Sequence, residues 1–223
     1  MPTTPPPIHE AEFVAVDIAD EAEIKRRFTP FVRSVHSYLN QLPCLRDVQK
    51  TRRRWKARTV EKEAFGNLAS HGQEWYTYHC GGRNEAHFNI CLRPAHLTIG
   101  LGFEFTLNKG GDPTAVHLAY ACFVQVVRRQ RTEFERFAAA SQLEIEWSDL
   151  RGGGHQYVVT GNVVPWLLTP PQEPKWICVA RFLRRERDAA ILENPTALGA
   201  VIEEVLSGFR PIWEQVEVMA HAP

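Results

Sequence analysis

The sequence predicts an α+β fold: a single domain with a mostly antiparallel sheet flanked by N- and C-terminal helices and a long central helix. Three observations carry that expectation. Segments with helical apolar spacing lie towards both ends of the chain, short alternating segments cluster between them, and Asp112-Pro113 opens a long helical run in the middle. No Pro/Gly/Ser-rich linker and no internal repeat divides the 223 residues, so residues 11–223 read as one domain behind a disordered tail of residues 1–10.

The tail, MPTTPPPIHE, is proline-rich, and its first eight residues are expected to be mobile. From Glu21, apolar Ile24, Phe28, Phe31, Val35 and Leu39 fall close to helical spacing, with Pro30 placed to kink or restart the helix. A basic connector, Lys50 to Arg58, comes next. Trp75 to Phe105 then reads as three consecutive strands with Gly81-Gly82-Arg83-Asn84-Glu85 in the first connection. In the middle strand Phe88, Ile90 and Leu92 share one face, and His87, Asn89 and Cys91 the other. In the third, Ile99, Leu101, Phe103 and Phe105 oppose Thr98, Gly100, Gly102 and Glu104. Two glycines on one face predict a shallow floor open to a ligand or another backbone.

Asp112 at N-cap and Pro113 at N1 start the central helix, which should continue to about Ala139. Leu143 to Trp147 alternates as a strand, and Tyr157 to Leu168 and Trp176 to Phe182 are further strand candidates. Asn194-Pro195 opens the last helix, whose apolar face holds Leu198, Val201, Ile202, Val205, Leu206 and Phe209 until Pro211 kinks or ends it.

Composition restricts the function classes. A hydrophobic fraction of 44% supplies a real core, while 26 Lys+Arg against 26 Asp+Glu exclude a wholly basic nucleic-acid coat and leave room for a local patch. No run of apolar residues is long enough for a membrane helix, and the N-terminus lacks the pattern of a secretory signal. Cys44, Cys80, Cys91, Cys122 and Cys178 are odd in number and scattered, which fits reduced thiols and a cytoplasmic location.

Several constellations suit chemistry. Arg52, Arg53, Arg54 and Lys56 around Trp55 combine phosphate-binding forks with an indole that stacks on bases; the same run suits a solvated surface. Arg128, Arg129 and Arg131, and Arg181, Arg184, Arg185 and Arg187, add two more clusters. Arg83, Asn84 and Glu85 carry the donors and acceptors that read base edges, or pair with each other in an exposed turn. Trp75, Tyr76 and Tyr78 form an aromatic wall or ordinary strand packing. His79, Cys80, His87, Cys91 and His96 lack the spacing of any metal motif, so no metal site and no cofactor are expected.

The order helix, three strands, helix, strand resembles the core of PD-(D/E)xK nucleases, which implies catalysis by Glu104 and Lys109 with Mg²⁺. The sequence departs from that pattern twice: Thr106 stands where the lysine belongs, and Asn89 where a second acid belongs. The runs GGRNEAHFNICL and LTIGLGFEF resemble DNA-recognition modules of bacterial restriction and defence systems. The last helix after WICVARFL is similar to the N-terminal domain of McrB-type restriction proteins. The last two resemblances imply a reader of DNA, with a modified base as one target, and the residues themselves lead to the expectation of a non-enzymatic binder of DNA or RNA. Its contacts would come from Arg52, Arg53, Arg54, Trp55, Lys56, Arg83, Asn84 and Glu85. A protein-interaction or scaffold subunit is the third reading.

Overall fold

A computed structural model describes residues 3–16, 31, 34–35, 37–45, 86–93, 95–105, 113–149, 157–169 and 174–220. In chain order the elements are α1 (Glu10–Val16), β1 (His87–Leu92), β2 (His96–Glu104), α2 (Pro113–Arg129), α3 (Arg131–Ala140) and β3 (Leu143–Asp149). They continue with β4 (Tyr157–Val159), α4 (Val163–Leu168), β5 (Pro174–Arg184), α5 (Ala189–Leu192) and α6 (Pro195–Ala220). The class is α+β. The strands form one sheet in the order β1-β2-β5-β3-β4.

The pairing is antiparallel. Ile145 of β3 stands opposite Val159 of β4 on one side and Val179 of β5 on the other. At the β1–β2 turn, Arg93 and His96 exchange backbone hydrogen bonds of 2.9 and 3.3 Å, which closes a tight hairpin. β1 and β2 are the second and third of the expected strands; the first, with Trp75, Tyr76 and Tyr78, lies outside the described residues.

The chain forms two compact units: Met1–Cys80 with Ile90–Ile99 and Phe182–Glu204, and Gly81–Asn89 with Gly100–Arg181 and Val205–Pro223. In the second unit, burial of aromatic rings holds helices to one sheet face. Phe103 lies 5.1 Å from Tyr120 and 5.2 Å from Phe123, ring centre to ring centre, and Phe88 lies 5.9 Å from Trp213. The Trp213 indole N–H donates to the Ala86 carbonyl at 3.1 Å, so the ring is buried with its polar atom satisfied.

In the first unit Ile8, Phe13, Val35, Tyr38, Leu39, Leu42 and Leu45 are buried, as are Leu192, Leu198 and Ile202. The N-terminal segment, expected to be mobile, contributes to this core. Pro5 and Ile8 are buried, and the Ile8 N–H donates to the Leu192 carbonyl at 2.9 Å.

Three further expectations change. The single central helix is two, α2 and α3, separated at Gln130, whose side-chain amide reaches the Gln215 carbonyl oxygen at 2.9 Å. The strand expected over Tyr157 to Leu168 stops at Val159 and gives way to α4. Gly161 takes φ +79° there, and Pro165, which cannot donate inside a sheet, is tolerated in the first turn of a helix. Of the two outcomes expected at Pro211, a kink or an end, the end does not occur, and α6 runs on to Ala220. The start of α6 is as expected: Asn194 Oδ1 accepts from the N–H groups of Thr196 and Ala197 at 3.0 and 3.1 Å, ahead of Pro195 at N1.

Candidate functional site

The sheet face of the second unit opposite the helices concentrates polar groups. Alternation places His87 and Asn89 of β1 there, with Gly100, Gly102 and Glu104 of β2 and Trp176, Cys178 and Ala180 of β5. The β3–β5 register adds Glu144 opposite Ala180, Glu146 opposite Cys178 and Ser148 opposite Trp176. His87, Asn89, Glu144, Glu146 and Ser148 are all buried. Polar side chains are rarely placed in a core without need, since each loses its water.

Gly100 and Gly102 explain how β1 and β5 meet across β2. Above Gly102, the His87 ring lies 5.2 Å from the Trp176 ring at an interplanar angle of 35°. A Cβ on Gly102 would come within 2.5 Å of Trp176 Cη2 and 2.9 Å of His87 Nε2. Near Gly100 the side-chain amide of Asn89 donates to Cys178 Sγ at 3.6 Å. The shallow open floor expected from the two glycines is thus corrected: His87 and Trp176 fill it.

The chemistry of this face follows from burial. Burial pushes the His87 imidazole down to about 3, so it is neutral at physiological pH, a ring with one nitrogen able to donate and the other to accept. Asn89 Oδ1 and Trp176 Nε1 are buried and have no hydrogen-bond partner among the described residues. Such atoms are uncommon in native interiors.

Of the nuclease residues, Glu104 is half-buried at the end of β2, and Lys109 lies outside the described residues. Among the described residues no group of three or more His, Cys, Asp or Glu side chains is placed to hold a metal ion. His87 packs on Trp176 in the second unit, while His96, in the first, meets Phe182 edge-on at 5.1 Å.

Arg52, Arg53, Arg54, Trp55, Lys56, Arg83, Asn84 and Glu85 lie outside the described residues. The other arginine clusters have divided fates. Arg181 binds the Gln142 side chain, Arg185 pairs with Glu10, and Arg187 pairs with Asp188 at 2.8 Å. Those three are committed within the fold. Arg128 and Arg129 are exposed at the C-terminal turn of α2 with no ion-pair partner among the described residues, and neighbouring Arg131 pairs with Glu135 at 2.8 Å.

Sequence reasoning missed Trp176, Cys178, Glu144, Glu146 and Ser148 as members of one polar face. The signal was present as alternation in β3 and β5, but only the strand order brings it beside β1 and β2. The four described cysteines are buried and form no disulfide with one another, and no described helix is long and apolar enough to cross a membrane. Comparison with protein-family models, curated proteins and solved structures finds no significant match for this chain.

Proposed function

We propose that this chain is a nucleic-acid-binding protein of a bacterial defence or restriction type, reading a base, modified bases included, rather than catalysing a reaction. One observation carries the reading. Among the described residues, the second unit buries an acceptor, Asn89 Oδ1, and a donor, Trp176 Nε1, without hydrogen-bond partners, on the face that also holds the neutral His87 imidazole. A base edge presents donors and acceptors of the same kind, and a flipped or unstacked base adds a flat surface for an aromatic neighbour. Leaving a buried polar atom unpaired costs about 1–3 kcal/mol, and a base edge that entered once the His87 and Trp176 rings moved aside would recover that cost.

Phosphate contact comes from cations outside this face. Arg128 and Arg129 are exposed and unpaired among the described residues, and Arg52, Arg53, Arg54 and Lys56 add a second basic run in the sequence. A salt-titrated binding assay with modified and unmodified DNA and RNA tests the division of labour. Replacing both Arg128 and Arg129 with Ala should weaken binding to every target and lower the salt slope by about 2, near 0.9 per duplex phosphate contact. Asn89→Ala should leave that slope intact and reduce discrimination between targets. Absence of salt-dependent binding to any DNA or RNA would end the proposal.

A further inference from the structure

The first unit holds its own proline-rich segment in an apolar groove. Pro5, Pro6 and Ile8 face Phe31, Val35, Ile90, Leu92, Leu97, Leu198 and Ile202 around an apolar void of about 20 Å³. The seat for Pro5 is built from a glycine and a tyrosine. A Cβ on Gly199 would lie 3.1 Å from Pro5 Cδ and 3.2 Å from the Tyr38 hydroxyl, so any larger residue there crowds the proline. The Tyr38 hydroxyl donates to the Gly199 carbonyl at 3.1 Å, which fixes the ring beside this seat. Burial, with Glu203 and Cys44 nearby, pushes that hydroxyl up to about 12, so it remains a donor across the physiological range.

Residues 3–9 have no helix or strand of their own. What holds them is side-chain burial, the Ile8 N–H bond to Leu192, the His9 N–H bond to Glu12 at 2.7 Å and, at the surface, the Glu10–Arg185 pair and a 3.9 Å contact of His9 with Glu193. Surface pairs of this kind contribute about 1 kcal/mol or less each. Proline-rich segments lose little conformational entropy on docking, because their φ angles are already restricted, and they favour grooves lined by aromatic rings. Gly199, Tyr38 and Phe31 supply such a groove.

We infer that this groove is a recognition surface for proline-rich peptides and that residues 3–8 occupy it in cis as an intramolecular competitor. The partner it fits is an extended segment with two adjacent prolines followed, two residues on, by an aliphatic side chain, the pattern of Pro5-Pro6-Pro7-Ile8. A tethered segment acts at an effective concentration on the order of millimolar, so a free peptide at micromolar concentration competes poorly with it. Release of the segment opens the groove.

The test uses the full-length chain and a labelled peptide with the sequence of residues 1–12, followed by fluorescence anisotropy. Ile8→Asp in the protein weakens the cis contact, and this variant should bind the peptide at least tenfold more tightly than the unmodified chain. Adding Gly199→Leu, which fills the Pro5 seat, should abolish the gain, and a peptide with alanine at all three proline positions 5–7 should not bind. If Ile8→Asp prevents folding, replacing Pro5 and Pro6 with Ala in the protein loosens the same contact and should give the same increase. A folded, strap-weakened variant that binds the peptide no better than the unmodified chain overturns the inference. Equal binding of the alanine peptide does so too.

Discussion

Lowering the pH from about 7.5 to about 5 should destabilise the protein by about 4 kcal/mol, through two histidines. Burial pushes His87 down to about 3 from its ordinary 6.5. His96 is pushed down to about 4, mainly by burial, with the Arg93 and Arg184 guanidiniums adding to it. Both pKa values are depressed on folding, so the folded state is favoured fully above about pH 6.5 and loses stability as the unfolded imidazoles take up protons below it. At pH 5, 1.5 units below 6.5, each histidine costs about 2 kcal/mol at roughly 1.4 kcal/mol per unit.

Urea denaturation at the two pH values measures the change. His87→Leu removes one titrating group and the ring contact with Trp176, so it should be less stable at pH 7.5. Its loss on acidification should nonetheless shrink from about 4 to about 2 kcal/mol. A His87→Leu protein whose midpoint falls with pH as steeply as the parent's would refute the reasoning. Imidazole resonances give an independent reading: His87 should stay unprotonated in the folded protein at pH 5.

Two more outcomes concern packing. Gly102→Ala sets a methyl group against the tips of Trp176 and His87 and should cost about 1–3 kcal/mol, whereas Gly100→Ala meets the Val179 carbonyl and Ala180 Cα at 2.6 Å and should cost more. Thermal melting of the pair checks the order, and a Gly102 variant less stable than the Gly100 variant would contradict it. Asn194→Ala removes the two bonds of 3.0 and 3.1 Å that cap α6 and should cost about 1 kcal/mol in the same assay; an unchanged midpoint would remove the cap from the account.

What was legible in the sequence was local. Asn194-Pro195 announces a helix start because cap chemistry acts over three residues, and the faces of β1 and β2 follow from alternation alone. The break between α2 and α3 has no comparable signal, since neither Gly nor Pro stands near Gln130. α4 was signalled by Gly161, Asn162 and Pro165, but its β-branched and aromatic residues suggested a strand. Burial of Pro5 depends on Gly199, and the filling of the Gly102 floor depends on Trp176; both partners are set by chain topology. The candidate site was half visible: His87, Asn89 and the glycines could be assigned to one face, whereas their neighbours from β3 and β5 needed the order of the sheet.

Four of the five boundaries between the two units fall inside secondary structure: between Asn89 and Ile90 in β1, Ile99 and Gly100 in β2, Arg181 and Phe182 in β5, and Glu204 and Val205 in α6. Neither unit is therefore a continuous stretch of sequence, and no single cut of the gene yields one of them whole. A ribosome making this chain completes the first unit only at Glu204, part-way along α6, and the second only with the residues that follow. Shortening the protein from the C-terminus removes α6 residues belonging to both units once the cut passes Val205. Cuts within Val205–Pro223 remove residues of the second unit alone and longer ones take residues of both, so point substitutions are the appropriate way to probe the proline groove apart from the polar face.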